Sequence, residues 1–246
     1  MPGSMIRSVI LAAAALLAAS PAAAKPALKF SGGVTLVSQY RFRGIGLSDQ
    51  KPALQGTLNL SHDSGLYAGA WGSGLEGFGE LGGSKLELDL YAGYKHELLP
   101  GATLDVGLLY YAYPGSTGGN FEFFEPYANV SGAVGPGTAK LGIAFAPSDK
   151  AIGGNSNLYS FADYALPING TPIAINSHIG YSKGRTTLTP GGNYFDWSLG
   201  ASATWRNFTA GVSYVDTSIS RRDAHAAGAT PGIVDSAVVF SLGASF

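Results

Sequence analysis

The sequence predicts an all-β protein: a transmembrane, antiparallel, up-and-down β-barrel of about 12 strands. Three observations support this fold class. Apolar and polar residues alternate with a period of two along nearly the whole chain after residue 25, short and long connections alternate, and aromatic residues lie near segment ends. Helical periodicity is almost absent, so the strands must pair with one another.

Alternation defines each strand in turn, and the segment that starts at residue 84 shows it most plainly. Leu86, Leu88 and Leu90 share one face of this segment, whereas Glu87 and Asp89 lie on the other. The same pattern recurs in twelve segments, at about 30–43, 52–62, 65–74, 84–97, 102–113, 121–134, 138–146, 157–167, 171–183, 194–205, 208–217 and 234–246.

The connections between these segments alternate in length. Five are short and carry turn residues, at 62–65, 98–101, 135–137, 167–170 and 206–207. Six are long, at about 44–51, 75–83, 114–120, 147–156, 184–193 and 218–233. Strict alternation of five short and six long connections requires twelve strands, with both chain ends on the short-turn side.

Alternation alone does not separate a soluble β protein, with its apolar face inside, from a membrane barrel, with its apolar face in lipid. Aromatic residues near strand ends favour the barrel, as two interfacial girdles. The residues assigned to these girdles are Tyr40, Phe42, Tyr94, Tyr110, Tyr111, Trp197, Trp205, Phe208 and Tyr214. Polar faces rich in Gly, Ser, Thr and Asn, and a last alternating strand that ends at Phe246, favour it too. A secreted soluble β protein is the alternative.

Composition limits the classes of function. Charged residues are 13% of the 246, the formal net charge is -1 and there is no cysteine. A balanced charge gives no electrostatic reason to expect a nucleic-acid partner. The lack of cysteine excludes a disulfide framework and a cysteine-ligated metal site. The histidine spacing gives no metal site, and we expect no cofactor.

The first 24 residues have the pattern of a cleavable signal peptide. Arg7 precedes an apolar run at 9–19, and Ala22, Ala23 and Ala24 form a small-residue cleavage site. The run is too short for a membrane helix, and a buried N-terminal helix is the alternative. We therefore expect residues 1–24 to be removed and 25–246 to form an exported outer-membrane β-barrel.

Charged and polar residues on the polar faces are the candidates for lining a pore. They are Gln39, Arg41, Arg43, Lys85, Glu87, Asp89, Lys95, Asp105, Glu125, Lys140, Asp163, His178 and Asp196. In a lumen, such charges set ion or solute selectivity. They equally pair with one another in a narrow, plugged barrel, and their near-balanced signs predict neither anion nor cation preference. Arg41 and Arg43 either meet anionic solutes or bind acids on other strands.

Three short stretches in the first quarter of the exported part carry a family resemblance. Tyr40–Gly44, Lys51–Gly56 and Ser64–Gly69 closely resemble the TorF family of porins, small Gram-negative outer-membrane proteins. The resemblance implies an outer-membrane porin, with no established substrate and no catalytic residues to transfer. The rest of the chain matches that family in architecture.

We therefore expect a channel for passive diffusion of small hydrophilic solutes or ions. The expected partners are outer-membrane lipid, the solutes, and the outer-membrane assembly machinery through the strand that ends at Phe246. The sequence is compatible with a homo-oligomer but does not decide the oligomeric state. A structural or adhesive barrel without a useful pore is the first alternative. A barrel-embedded lipid hydrolase is the second; we expect no enzyme, because His178 has an inward phase and no evident partner.

Overall fold

The structure is a computed structural model that describes residues 28–230 and 232–246. The predicted signal peptide, 1–24, lies outside the described residues. The barrel wall has twelve strands: β1 Lys29–Val37, β4 Ala53–Ser61, β5 Leu66–Gly74, β6 Leu86–Leu99, β7 Ala102–Ala112, β8 Phe123–Val134, β9 Gly137–Ala146, β10 Asn157–Pro167, β11 Ile173–Lys183, β12 Asn193–Trp205, β13 Phe208–Thr217 and β14 Ala237–Ser245.

The wall closes on itself because the last strand pairs with the first. Each wall strand is antiparallel to the wall strands before and after it, and β14 pairs with β1 with Leu242 opposite Leu36. The backbone of Phe246 extends this seam, exchanging hydrogen bonds with Gly32 at 2.9 and 3.0 Å. A closed antiparallel sheet leaves no unpaired edge. The predicted barrel of twelve strands is confirmed.

The two ends of the barrel differ as the connection lengths predict. All five short turns lie at one end, together with Leu28 and Phe246, and we call it the short-turn end. The six longer connections lie at the other, the long-loop end. Their described residues form three 3-10 turns, Gly77–Gly79, Leu81–Gly83 and Lys150–Ile152, and one short helix, α1 Arg221–Ala226.

The outside of the wall is apolar. Leu54, Leu141 and Phe240 are 64%, 63% and 60% exposed, and their neighbours of the same phase are exposed as well. An apolar surface that runs round a closed barrel is typical of a face that meets lipid. No helix among the described residues is long and apolar enough to cross a membrane.

The first strand is shorter than predicted, and this overturns part of the girdle prediction. β1 ends at Val37 rather than at residue 43, because the chain leaves the wall and folds inward. Tyr40 and Phe42, which we expected to face lipid, lie inside the barrel. Tyr111 also faces inward and is 2% exposed. The other girdle residues named above lie on the outward phase, with Trp205 64% and Phe208 54% exposed.

Candidate functional site: a segment that crosses the lumen

The chain between β1 and β4, Ser38–Pro52, folds into the lumen; we call it the inward segment. It contains a small hairpin, β2 Arg41–Phe42 paired with β3 Ile45–Gly46. Arg43 and Gly44 form its two-residue turn, with φ of 48° and 81°. Two consecutive positive φ values are the signature of a type I′ turn, the tight turn that suits antiparallel pairing. Gly44 adopts this conformation freely, whereas Arg43 adopts it at a cost.

Local hydrogen bonds hold the base of this hairpin. The Leu47 backbone N–H donates to the Tyr40 carbonyl at 2.9 Å, which continues the pairing. The Ser48 hydroxyl accepts from the Tyr40 N–H at 2.8 Å and donates to the Lys51 carbonyl at 2.7 Å. Because Ser48 is 1% exposed, these bonds are shielded from water. The hairpin is therefore a defined element.

Arg43 reaches the far side of the barrel. Its Nη2 donates to Glu125 Oε2 at 2.6 Å, and its Nη1 donates to Asn157 Oδ1 at 3.3 Å. The guanidinium carbon lies 4.0 Å from the centre of the Tyr159 ring. Glu125 belongs to β8 and Asn157 to β10, which flank β9, the strand opposite β1 in the ring of twelve. The inward segment therefore spans the whole bore.

Arg41 fixes the same hairpin to the other side. Its Nη1 donates to the backbone carbonyls of Gly44 at 2.8 Å and Asp235 at 2.7 Å, and its Nε donates to Gln39 Oε1 at 3.0 Å. Asp235 lies in the connection 218–236, before β14. The sequence left two roles open for these arginines, contact with anionic solutes or binding to acids on other strands. In the structure Arg43 binds an acid, Glu125, whereas Arg41 binds backbone carbonyls. Both arginines therefore anchor the segment.

Apolar packing completes the constriction on the side of β5 to β8. Tyr40 packs on Trp71 with ring centres 5.3 Å apart, and Phe42 meets Tyr111 edge-on at 5.9 Å. A second apolar cluster covers the tip of the hairpin. It consists of Ile45, Tyr194, Ile219, Ala224, Ala229, Ile233 and Val234. Much of the lumen near the long-loop end is therefore filled by side chains.

A cavity of about 450 Å³ lies on the other side of the inward segment. The inward segment contributes Gln39, Arg41 and Arg43 to its lining, and the wall contributes Ser198 of β12 and Ser213 of β13. A cavity of this size admits a small-molecule solute. It is the open space beside the constriction, and its walls mix charged, hydroxyl and amide groups.

His178 stands at the edge of this cavity and has partners that the sequence did not reveal. Its Nδ1 lies 2.6 Å from Asp163 Oδ1, and its Nε2 lies 2.9 Å from Asp196 Oδ1 and 2.9 Å from the Tyr159 hydroxyl. Asp163 is opposite His178 in the β10–β11 register. Pairing the two predicted strands in the correct register would have placed Asp163 beside His178. Periodicity alone does not fix the register, so the sequence did not predict this contact.

Glu87 and Asp89 face the lumen from adjacent inward positions of β6 and are 1% and 8% exposed. The Tyr113 hydroxyl donates to Glu87 Oε1 at 3.5 Å. Among the described residues, Glu87 Oε2 and Asp89 Oδ1 have no hydrogen-bond partner. Burial without a basic partner, next to a second carboxyl group, favours the neutral, protonated form of both groups.

The other lumenal charges lie closer to the short-turn end and form looser pairs. Lys95 lies 3.9 Å from Asp105, and Lys140 lies 3.9 Å from Asp163. Their ammonium groups stand 5.0 Å above the Tyr67 ring and 5.2 Å above the Phe161 ring. These side chains are solvated, as we expect for lumen-lining residues.

Lys85, one of the residues predicted to line the pore, lies outside the lumen. It precedes β6 in a loop at the long-loop end, and its side chain is 69% exposed rather than enclosed by the wall. Its Nζ binds Glu80 Oε1 at 2.7 Å, and this hydrogen bond raises the pKa of Lys85 above its ordinary value. The alternating phase of Lys85 is inward, but the wall begins only at Leu86.

The closed wall of twelve strands, the two unlike ends and the constricted polar lumen define a porin-like barrel. The chain belongs to the family described as "Bacterial protein of unknown function (Gcw_chp)", whose model matches residues 21–246. The match to that family does not decide the resemblance to the TorF porins. No curated protein matches the chain.

Solved structures with the same fold include porins and a channel of low sequence identity. The NanC porin is 12% identical with a TM-score of 0.54, covering 89% of this chain and 99% of that one. The KdgM porin, solved in complex with disordered oligogalacturonate, is 10% identical with a TM-score of 0.56, covering 88% and 98%. An outer membrane channel from Pseudomonas putida F1 is 12% identical with a TM-score of 0.50, covering 92% and 98%.

Proposed function

We propose that this protein is an outer-membrane channel for passive diffusion of small hydrophilic solutes or ions. The observation that carries the proposal is the combination of an apolar exterior with a polar lumen that keeps a cavity of about 450 Å³ beside the inward segment. Apolar-out and polar-in alternation in a closed barrel is the organisation of membrane pores. The fold shared with the NanC and KdgM porins supports the same function.

The family resemblance falls on the part of the chain that shapes the lumen. Tyr40–Gly44, one of the stretches that resembles the TorF porins, contains Tyr40, Arg43 and the turn of the hairpin. A stretch that folds across the bore determines the size and charge of the passage. This coincidence supports a porin of that kind, exported with the help of the signal peptide predicted at 1–24.

Passage in this proposal runs between the inward segment and the strands β10 to β14. Solute would meet His178 and Asp196 from the wall and Gln39 from the segment. Because Arg43 and Arg41 are engaged by protein groups, they act mainly by holding the segment in place. The narrowest point is therefore set by packing of the segment, and permeation depends on how firmly it is held.

A structural barrel without a useful pore is the second candidate, and one observation favours it. Two apolar clusters fill much of the lumen near the long-loop end. Close-packed apolar side chains exclude water, and a dry constriction stops ions. The two candidates differ in one measurable property, ion conductance.

Enzyme activity is not part of the proposal. His178 would be the catalytic base of such an enzyme, but its ring faces Asp163, Asp196 and Tyr159 inside the barrel. A hydrolase of membrane lipid requires its nucleophile and base to reach the lipid side of the wall. This geometry suits a lumenal polar network better than a hydrolase.

Planar-bilayer recording of the purified, folded protein tests the proposal. We expect discrete current steps in potassium chloride, since a porin-like path conducts ions. A barrel that folds, as judged by a shift in electrophoretic mobility on boiling, but gives no steps would favour the structural barrel. Outer-membrane fractionation of the exported protein tests its location, and recovery in the soluble periplasm would contradict it.

A further inference from the structure

A strip of paired aromatic and glycine residues lines the lumen between the inward segment and the short-turn end. Its four pairs are directly opposite each other across neighbouring strands: Tyr67 with Gly93, Tyr91 with Gly69, Tyr127 with Gly107, and Phe161 with Gly142. We call these eight residues the aromatic–glycine strip. All four aromatic side chains are partly exposed, and their phase turns them to the lumen.

Each ring lies over its glycine. A Cβ atom placed on Gly93 would stand 2.4 Å from the Tyr67 hydroxyl, and one on Gly107 would stand 2.5 Å from the Tyr127 hydroxyl. A Cβ atom on Gly69 would stand 2.6 Å from the Tyr91 ring. At such distances, a side chain in place of the glycine hydrogen would force the ring or the neighbouring backbone to move. The rings therefore lie along the wall instead of filling the bore.

Polar groups border these rings. The Tyr67 hydroxyl bonds to Asp105 and to the Tyr127 hydroxyl. The Tyr91 hydroxyl donates to Asn59 Oδ1 at 2.5 Å and lies 3.3 Å from the Thr57 hydroxyl. Flat apolar surfaces thus alternate with hydroxyl, amide and carboxylate groups on one continuous stretch of wall. This is the arrangement that an amphipathic, ring-shaped solute requires.

The charges beside the strip cancel. Lys95 pairs with Asp105, and Lys140 and His178 face Asp163 and Asp196, so each acid has a basic partner. The lysine side chains are 57% and 43% exposed, so they are free to move away from the rings below them. A strip with balanced charge has no field that would concentrate an acidic solute.

We propose that the aromatic–glycine strip binds neutral, hydroxyl-rich ring compounds, namely uncharged oligosaccharides, as they pass through the lumen. The apolar C–H face of a pyranose ring stacks on Tyr91 or Tyr127, and its hydroxyls exchange hydrogen bonds with the bordering polar groups. This inference rests on the proposed channel function and names its class of solute. It differs from the acidic oligogalacturonate found with the KdgM porin.

Isothermal titration of the folded barrel in detergent tests the inference without relying on ion conductance. The probes are maltohexaose, which is neutral, and hexagalacturonate, which is acidic and of equal length. We expect maltohexaose to bind at least about fivefold more tightly than hexagalacturonate. Equal or tighter binding of the acidic sugar, or no heat with maltohexaose, would overturn the inference.

Two matched variants on β6 distinguish loss of ring stacking in the lumen from a general effect of a Tyr→Leu substitution on the wall. Tyr91→Leu keeps an apolar side chain but removes the flat face, and we expect it to weaken maltohexaose binding about fivefold or more. Tyr94→Leu, on the outward face of the same strand, is the control and should bind as the unmodified protein does. Equal losses in both variants would contradict a lumenal site. If Tyr91→Leu fails to fold, Tyr127→Leu serves the same comparison.

The experiments can contradict the channel function and the sugar-binding site independently of each other. A barrel that binds maltohexaose but gives no current steps contradicts the channel and leaves the sugar site standing. A barrel that conducts ions but binds neither sugar contradicts the sugar site and leaves the channel standing.

Discussion

The two halves of the lumen use the same kinds of side chain in opposite ways. Near the long-loop end, Arg43 binds Glu125 with side chains only 8% and 3% exposed, and it lies against Tyr159. Towards the short-turn end, Lys95 pairs with Asp105 at 57% and 17% exposure, above Tyr67. In both cases a cation meets an acid and an aromatic ring, but only the first pair is out of water.

Burial decides what each pair does. Taking Arg43 and Glu125 out of water costs desolvation energy, and only a close, well-bonded geometry offsets it. Once formed, such a pair is hard to break, because each charge would be left buried and alone. The solvated pair of Lys95 and Asp105 contributes little to stability. The ion pair in the long-loop half therefore holds a constriction, whereas the pair in the short-turn half stays in contact with water.

Loss of the ion pair between Arg43 and Glu125 should have the largest effect, on how often the inward segment opens. Because the chain contains no cysteine, a single introduced thiol reports on this opening. Ser48→Cys introduces one thiol into the inward segment, at a position 1% exposed; the thiol makes weaker hydrogen bonds than the hydroxyl, and this loss is the same in both backgrounds that are compared. Adding Arg43→Ala leaves Glu125 unpaired, at a cost of about 3–5 kcal/mol while the segment stays docked. The segment should therefore open far more often, and thiol labelling should become about 100-fold faster.

Ser64→Cys, in an exposed turn at the short-turn end, is the control for that experiment. Its labelling rate should be the same with Arg43 and with Ala at position 43, because the wall stays folded. An equal Ser48→Cys labelling rate in both backgrounds would show that Arg43 does not hold the segment.

A methyl group in the aromatic–glycine strip should destabilise the wall itself. In Gly93→Ala the new Cβ would meet the Tyr67 hydroxyl and the Val106 carbonyl, at 2.4 and 2.5 Å. Overpacking of this kind costs about 1–3 kcal/mol. Gly56→Ala on β4, where the nearest atom is 4.0 Å away, is the control. Urea unfolding followed by electrophoresis should show a lower midpoint for Gly93→Ala alone; equal midpoints would refute the close packing.

Removal of the unpaired acids should change ion selectivity only slightly. Glu87 and Asp89 are buried and have no basic partner among the described residues, which favours their neutral form. Glu87→Gln combined with Asp89→Asn therefore removes little charge from the lumen, and we expect the ratio of potassium to chloride permeability to change by less than about 1.5-fold. Reversal potentials across a potassium chloride gradient measure this ratio, and a twofold or larger fall would show that the two acids are ionised and face the ion path.

Loss of the solvated pair should have the smallest effect on the free energy of unfolding. Lys95→Ala removes one partner of the pair with Asp105, and we expect the free energy of unfolding to change by less than about 1 kcal/mol. Urea unfolding measures this change beside that of Arg43→Ala. A loss as large as the one from the buried pair would contradict the distinction between the two halves.

The sequence predicts the wall well because strand period and turn chemistry are local. The twelve strands, their antiparallel order and the alternation of short and long connections follow from period two and from residues such as Pro100 and Gly101. Outward-facing aromatics such as Trp205 follow from the same alternation. These features need no knowledge of contacts across the barrel.

The inward segment could not be predicted in the same way. Alternation continues through Tyr40 and Phe42, so period two extended the first strand to residue 43. The Arg43–Gly44 dipeptide between alternating residues was the available signal for a tight hairpin. The ion pair with Glu125 joins residues 82 positions apart, and no local pattern reports such a contact. The partners of His178 depend on strand register in the same way.

The central claim is that the inward segment sets passage through a conducting barrel, and single-channel recording tests it most directly. Residues 41–46 are replaced by two glycines, which close the gap between Tyr40 and Leu47, whose backbones are already joined at 2.9 Å. The account predicts current steps for the intact protein and steps on the order of threefold larger for the shortened one. Equal steps from the two proteins, or no steps from either folded barrel, would contradict it.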